Sequence, residues 1–224
     1  MKGDVFRSVF PHGPAIPWVS LGLIAICCAV FVLPPAVAGA LIYDRTLVAD
    51  GQPYRLLTFP IVHFNAFHLF YNVLALAVLA VLYEAGQGRR SSLRIAAVTA
   101  VAFLTSAVWV WEMPGVEHVG GMSGILHTML CVAAIDLYRE TKMKILLFII
   151  AFYIARILFH WSWHMGDHEE PMTVAYSAHA VGLATAFAWS ALDRFFSNSQ
   201  SGRTGASVSP SHIDSALLMR GTQV

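Results

Sequence analysis

The sequence predicts an all-α membrane protein with six transmembrane helices and both termini in the cytoplasm. Of its 224 residues, 57% are hydrophobic and 12% are charged, whereas a soluble domain carries about 25% charged residues. Several apolar runs are long enough to cross a hydrocarbon core of about 30 Å. The net charge of +1 comes with no basic patch or arm, so nucleic acid is not an expected partner.

Six apolar segments of roughly 17 to 26 residues are expected to cross the bilayer. The predicted spans are 16–41, 66–83, 95–111, 121–138, 145–161 and 173–189. They give a membrane domain over 16–195, preceded by a cytoplasmic segment, 1–15. The Ser- and Gly-rich stretch 196–224 is predicted to be a disordered cytoplasmic tail.

The start of the chain also resembles a signal peptide, because Lys2 and Arg7 precede the first apolar run and small residues occupy 36–38. The apolar run continues past that candidate cleavage site, which favours a retained anchor.

The distribution of basic residues predicts the orientation. Most Lys and Arg residues lie in the N-terminal segment, in the loops after the second and fourth spans, and in the tail. The opposite loops contain Arg45 and Arg55 with several acidic residues. Because cytoplasmic loops are enriched in Lys and Arg, the second, fourth and sixth spans run from outside to inside.

Polar side chains inside membrane spans are costly and by default functional. At about 1.5 Å per residue, Ser123, His179, His68 and Asn72 lie about 24, 21, 24 and 18 Å from the cytoplasmic ends of their spans. Three spans therefore place a serine, two histidines and an asparagine in one layer, near the outer face.

These residue types suit nucleophilic catalysis. The Ser123 hydroxyl becomes nucleophilic when an imidazole removes its proton, and His179 is the candidate base. His68 and Asn72 share one helix face and could donate to an oxyanion, together with the Ser123 N–H at a helix N-terminus. Gly121 and Gly124 allow the backbone to approach closely. Taken singly, a serine in a membrane span more often makes an interhelical hydrogen bond, and a histidine more often serves as a packing group or a metal ligand. The common depth of these residues favours catalysis instead.

With these residues the chain resembles the rhomboid intramembrane serine proteases over about 50–192. The matching pieces are Tyr54-Arg55, where the family often has Trp-Arg; His63, His68 and Asn72; Gly121-Met122-Ser123-Gly124; and Ala178-His179-Ala180-Val181-Gly182.

The resemblance implies a six-helix rhomboid-like bundle with a water-filled cavity. Ser123 would be the nucleophile, His179 the general base, and His68, Asn72 and the Ser123 amide the oxyanion hole. His63 would stabilise the first outer loop and Arg55 would anchor it; neither a metal nor a cofactor is implied.

The implied activity is hydrolysis of a peptide bond at or near the outer end of the membrane anchor of a single-pass protein. It would take place in the lipid bilayer of the bacterial inner (cytoplasmic) membrane, with the site facing the outer side. The pattern specifies neither a cleavage sequence nor an oligomeric state.

One departure from the family concerns His127, four residues after the nucleophile, where many rhomboids have tyrosine. Ser123-Gly124 followed by Leu126-His127 resembles the rhombosortase branch, and a cation in the fifth span, Arg156, fits the same branch.

Two other functions stay open. A catalytically idle rhomboid-like protein would bind membrane helices, although such proteins should lack the serine or the histidine. A His-rich metal-binding protein could use the stretch 160–170, whose histidines and acids also suit an interfacial Trp/His belt with a solvated cap.

Overall fold

The computed structural model describes residues 15–87, 89–164 and 170–205, with the side chains of 153, 156–176 and 197–205 left out. The predicted roles of Arg156 and of the stretch 160–170 fall on side chains outside the described residues.

The described part of the chain is mostly helical. It contains six helices of 14 residues or more: α1 (Trp18–Phe31), α2 (Ala66–Leu79, continued by a π-helical turn over Ala80–Glu84), α3 (Arg89–Glu112), α4 (Ser123–Thr141), α5 (Lys144–His164) and α6 (Glu170–Gly205). Each long helix overlaps one predicted span, with different bounds. We call the end of the bundle where α4 begins the serine end.

The first predicted span, 16–41, is not one continuous helix. α1 ends at Phe31, and a separate short helix covers Pro35–Gly39. Pro34 has φ −53° and ψ 141°, outside the helical region. A proline pushes the preceding residue out of the helical region and removes a backbone donor, so the Pro34-Pro35 pair interrupts the helix.

Length and composition single out two membrane-spanning candidates among the described residues. Ala66–Glu84, with 19 residues, and Arg89–Glu112, with 24, are long and apolar enough to cross a bilayer, whereas α1 is apolar but shorter. α4 is not among these candidates because three charged residues, Asp136, Arg139 and Glu140, fall within 18 residues of its start.

The last turn of α2 caps the beginning of α1. The buried Glu84 carboxylate accepts hydrogen bonds from the N–H groups of Val19 (2.9 Å) and Ser20 (3.0 Å) and from the Ser20 hydroxyl (2.7 Å). These amides belong to the first turn of α1, where no intrahelical acceptor is available, and the positive end of the helix dipole favours an anion there. Glu84 therefore fixes α1 against α2.

A second polar cluster joins α2, α3 and α4 at the end opposite the serine. Asp136 accepts from Arg94 Nε (2.5 Å), Arg94 Nη2 (3.1 Å) and the Tyr83 hydroxyl (2.7 Å), and Arg139 Nη1 lies 3.4 Å away. The carboxylate thus has hydrogen-bond partners on both oxygens, which compensates for its burial.

The connection between α1 and α2 folds against the connection between α3 and α4. Its first strand, β1 (Tyr43–Asp44), pairs antiparallel with β2 (His118–Val119). Three short elements complete this connection: helices Arg45–Ala49 and Arg55–Thr58 and a 3₁₀ turn, Phe59–Ile61. Together they build a small apolar core at the serine end, distinct from the main core between the long helices.

By internal contacts the chain divides into two compact units, Met1–Ser190 and Ala191–Val224. The first unit contains every site residue predicted from the sequence. The second contains the end of α6, which continues to Gly205. The predicted membrane domain ends earlier, at 195, and the rest of the predicted tail, 206–224, lies outside the described residues.

Candidate active site

Ser123 is the first residue of α4. Met122 caps the helix with φ −89° and ψ −2°, and its carbonyl accepts the Leu126 N–H over 2.9 Å. The first N–H groups of a helix have no intrahelical acceptor, and they lie at the positive end of its dipole. The half-buried Ser123 hydroxyl therefore lies beside free backbone donors.

The structure brings Ser123 and His179 together across two helices. His179 Nε2 lies 2.9 Å from Ser123 Oγ, within hydrogen-bond distance. If Nε2 accepts the serine proton, the neutral ring carries its own proton on Nδ1. This arrangement can remove the hydroxyl proton as the oxygen attacks an electrophile.

At two glycines the backbones of these helices approach each other directly. A Cβ on Gly124 would lie 2.9 Å from the Ala178 carbonyl oxygen, and a Cβ on Gly182 would overlap the Gly124 carbonyl. The Thr128 hydroxyl donates to the Gly182 carbonyl over 2.9 Å. Two glycines thus set the distance between α4 and α6 next to both members of the Ser123–His179 pair.

His127 lies between the nucleophile's backbone and the candidate base. Its ring stacks on the His179 ring, with centroids 4.1 Å apart and an interplanar angle of 19°. Its Nδ1 lies 2.7 Å from the Ser123 carbonyl oxygen. Because a carbonyl only accepts hydrogen bonds, Nδ1 of His127 must carry a proton.

His68 lies directly against the glycine that precedes the serine turn. Gly121 has φ +117°, and a Cβ there would overlap the His68 ring. Only glycine adopts this conformation without strain, and only glycine leaves space for the imidazole. His68 lines the same cavity as Ser123 and His179.

Asn72 is buried and bonded to His63, with Nδ2 of the amide 2.7 Å from His63 Nε2. Burial lowers the pKa of His63 to about 4, and the nearby His68 adds to this shift. The Ile61 carbonyl partly opposes the shift, although its geometry falls short of a hydrogen bond. Because an amide nitrogen only donates, Nε2 of His63 accepts one N–H of Asn72, and the neutral ring carries its own proton on Nδ1. The second N–H of the amide then remains available to another acceptor.

Arg55 stabilises the first loop from inside. It is 5% exposed, and it donates to the carbonyls of Gly39 (3.0 Å) and Ile42 (2.7 Å) and to Gln52 Oε1 (2.8 Å). These contacts hold the connection between α1 and α2 together and do not involve Ser123.

Two side chains have structural roles that the sequence did not predict. One is Arg45, whose side chain bonds four carbonyls where α3 leads toward Ser123. The other is Glu84, whose carboxylate caps α1. Both act on elements more than 60 residues away in the chain, so local sequence patterns carried no signal for either.

A cavity of about 1150 Å³ opens beside Ser123. Its polar end is lined by His68, Asn72, Ser123, His127 and His179. The remaining wall is mainly apolar. Residues of α2, α4 and α5 line it down to Leu82, Leu137 and Leu146, and residues 115–121, between α3 and α4, also contribute. Such a site can enclose an apolar segment and present a polar bond to the serine.

Among the described residues, there is no group of three or more His, Cys, Asp and Glu side chains that could hold a metal ion.

No curated protein matches the chain. The model of the Rhomboid domain matches residues 50–194, well over half of the sequence, and the matched part contains Ser123, His179, His68 and Asn72. That family consists in general of intramembrane serine proteases. The chain is therefore a mainly helical membrane protein that belongs to the Rhomboid family of intramembrane proteases.

Proposed function

We propose that the chain is a serine endopeptidase that cleaves a peptide bond at or near the end of a substrate's membrane anchor. The 2.9 Å contact between Ser123 Oγ and His179 Nε2 carries this proposal. It joins a hydroxyl to a base across two helices, at the polar end of a cavity large enough for a peptide segment.

In the first half of the reaction, Ser123 Oγ attacks the scissile carbonyl carbon as His179 Nε2 takes the hydroxyl proton. The protonated imidazole then gives that proton to the leaving amine, and the new N-terminus departs. In the second half, His179 removes a proton from water, the resulting hydroxide attacks the acyl-enzyme, and Ser123 recovers its proton. The products are a carboxylate and an amine.

Three donors would stabilise the negative oxygen formed in each half. They are the Ser123 N–H at the N-terminus of α4, the His68 ring, and the second N–H of the Asn72 amide. The bond from Asn72 to His63 supports this role, because it fixes the orientation of the amide.

The shape of the cavity supports a membrane-embedded substrate. Its apolar wall, built by α2, α4 and α5, suits a hydrophobic anchor better than a soluble peptide. The excess of Lys and Arg in the loops at the opposite end supports an orientation with Ser123 nearer the outer face. We therefore propose single-pass membrane proteins in an inner membrane as substrates.

On the basis of His127, we also propose that the chain belongs to the rhombosortase branch of the family.

The test is cleavage of a tagged single-span substrate by the full-length protein in proteoliposomes. We expect Ser123→Ala to abolish cleavage, and His179→Ala to slow it by about 10²- to 10⁴-fold. Ser92→Ala, in the first turn of α3 and outside the cavity lining, is the matched control and should cleave like wild type. Cleavage by either dyad variant at the wild-type rate would show that the assignment is wrong.

A fluorophosphonate probe separates an enzyme from an idle relative that only binds helices. A nucleophilic serine should form a covalent adduct at Ser123, and Ser123→Ala should remain unlabelled. An unlabelled wild-type protein that still binds the substrate would favour the binding function.

A further inference from the structure

The segment that leads into Ser123 is docked on the first loop of the chain. Residues 113–121, which we call the approach segment, connect α3 to α4. Its strand β2 pairs with β1, and the Gly121 N–H donates to the Phe59 carbonyl over 3.0 Å. The backbone N–H of Arg45 donates to the Glu117 carbonyl over 3.1 Å. The path of the approach segment is therefore defined by the loop that precedes α2.

The Arg45 side chain binds both sides of the turn at the start of this segment. Its Nη2 lies 3.3 Å from the Val110 carbonyl oxygen, 2.9 Å from that of Trp111 and 2.6 Å from that of Met113. Its Nε lies 3.1 Å from the Val116 carbonyl oxygen. The planar fork of a guanidinium can serve several acceptors at once.

These carbonyls need such a partner. The last carbonyls of α3 have no intrahelical donor and lie at the negative end of the helix dipole, where a cation is favoured. The buried side chains of Val116 and Val119 fix other points of the approach segment by apolar packing. Gly115 between the two groups of acceptors has φ +76° and open space around it. The turn itself thus depends on Arg45.

Small displacements of the approach segment would reach the site directly. The segment ends at Gly121, which lies against the His68 ring, and the Ser123 amide follows two residues later. A shift of the segment would move the Ser123 N–H relative to His68, so that the two donors would no longer converge on one oxygen atom.

We propose that Arg45 is a positioning residue for the Ser123 site: its guanidinium holds the approach segment so that the Ser123 N–H and His68 converge on the same oxyanion. The inference rests on the proposed protease function. Arg45 does not line the cavity, whereas residues 115–121 of the approach segment do. Its removal should therefore act mainly on the rate of acylation, with a smaller effect on substrate binding.

The experiment compares wild type, Arg45→Gln, Arg45→Lys and Arg94→Gln as full-length proteins in detergent. For each we measure the rate and the final extent of fluorophosphonate labelling, and kcat and KM with the tagged substrate. Arg45→Gln should lower the labelling rate and kcat by about 10- to 100-fold, because a displacement near 1 Å has an effect of that size. The final extent of labelling should match wild type, and KM should change less than kcat. Arg45→Lys should fall between the two, since an ammonium lacks the planar fork.

Arg94→Gln is the matched control, because it removes a guanidinium bonded to Asp136 at the opposite end of the bundle. It should lower the melting temperature and leave the labelling rate unchanged.

Two results would overturn the inference while leaving the proposed function intact. One is an Arg45→Gln protein labelled at the wild-type rate. The other is a loss confined to the final extent of labelling, which would mean less folded protein rather than a misplaced site. If Arg45→Gln does not fold, the labelling rate of Arg45→Lys tests the inference by the same two criteria. Failure of the wild-type protein to be labelled or to cleave would instead refute the proposed function.

Discussion

The close crossing of α4 and α6 makes a quantitative prediction for Gly124→Ala. The added Cβ would lie 2.9 Å from the Ala178 carbonyl oxygen, whereas ordinary contact begins at 3.4 Å. To relieve the overlap, α4 and α6 must move apart by about 0.5 Å at Ala178, the residue that precedes His179. The contact from Ser123 Oγ to His179 Nε2, now 2.9 Å, would lengthen by a similar amount and leave the usual hydrogen-bond range.

The expected loss of rate follows from that displacement. If a misplacement of 1 Å lowers activity about 100-fold, half that distance lowers it about tenfold. Gly182→Ala should lose more, because its Cβ would overlap the Gly124 carbonyl and also lie 3.2 Å from His127 Cβ. Overpacking should lower the free energy of unfolding by about 1–3 kcal/mol.

The assay is the rate of fluorophosphonate labelling of Ser123, with melting temperature measured in parallel. Gly22→Ala is the control, because a Cβ at this position in α1 meets nothing within 4 Å. It should retain the wild-type rate and gain stability by about 0.5–1 kcal/mol. Labelling of Gly124→Ala as fast as that of Gly22→Ala would contradict the prediction, and so would a smaller loss of rate in Gly182→Ala than in Gly124→Ala.

Three further predictions concern side chains around the site and at the opposite end. His127→Phe keeps the ring stack on His179, whereas His127→Ala removes it. Because such a ring pair contributes about 0.5–1.5 kcal/mol, we expect the labelling rate to fall by up to about tenfold in the alanine variant only. Equal losses in the two variants would contradict this. Folded His63 stays neutral down to a pKa of about 4, whereas the unfolded chain takes up a proton below 6.5. The contribution of neutral His63 is therefore fully present above pH 6.5 and is lost as the pH falls towards 4. His63→Gln should make the melting temperature less dependent on pH in this window, and an unchanged slope would count against the buried neutral ring. Asp136→Ala removes the acceptor shared by Arg94 and the Tyr83 hydroxyl. The free energy of unfolding should therefore fall by about 3 kcal/mol, while the labelling rate stays within twofold of wild type. A large loss of labelling rate would mean that the two ends of the bundle are coupled.

The sequence was most informative where a polar residue interrupts an apolar run. Ser123 and His179 stand out because each occurs in an otherwise apolar segment, and counting residues along helices places them at similar depth. The Pro34-Pro35 pair offered an equally plain signal for the end of α1. Hydropathy alone predicts a continuous first span over 16–41, whereas in the structure α1 ends at Phe31.

Contacts between distant parts of the chain were not accessible in this way. Glu84 caps α1 from 64 residues away, and Arg45 reaches carbonyls 65 to 71 residues further along. Neither residue has a local periodicity that reveals its partner. The stacking of His127 on His179 likewise depends on the rotation and separation of two helices, which a pattern of residues on each helix does not define.

The structure separates the parts that hold the dyad from the parts that surround the cavity. The distance between α4 and α6 is set by glycine backbone at Gly124 and Gly182, where no side chain can adjust. The apolar walls of the cavity come from α2, α4 and α5, and on α2 and α5 they consist of side chains such as Leu74, Val78 and Ile149, which are not part of that crossing. Because interhelical contacts through backbone are stiff and long aliphatic side chains can change rotamer, the walls can accommodate different apolar segments without altering the geometry of Ser123 and His179. Variation in the walls should therefore change which segment is bound, whereas variation at the two glycines should change the rate of the chemical step.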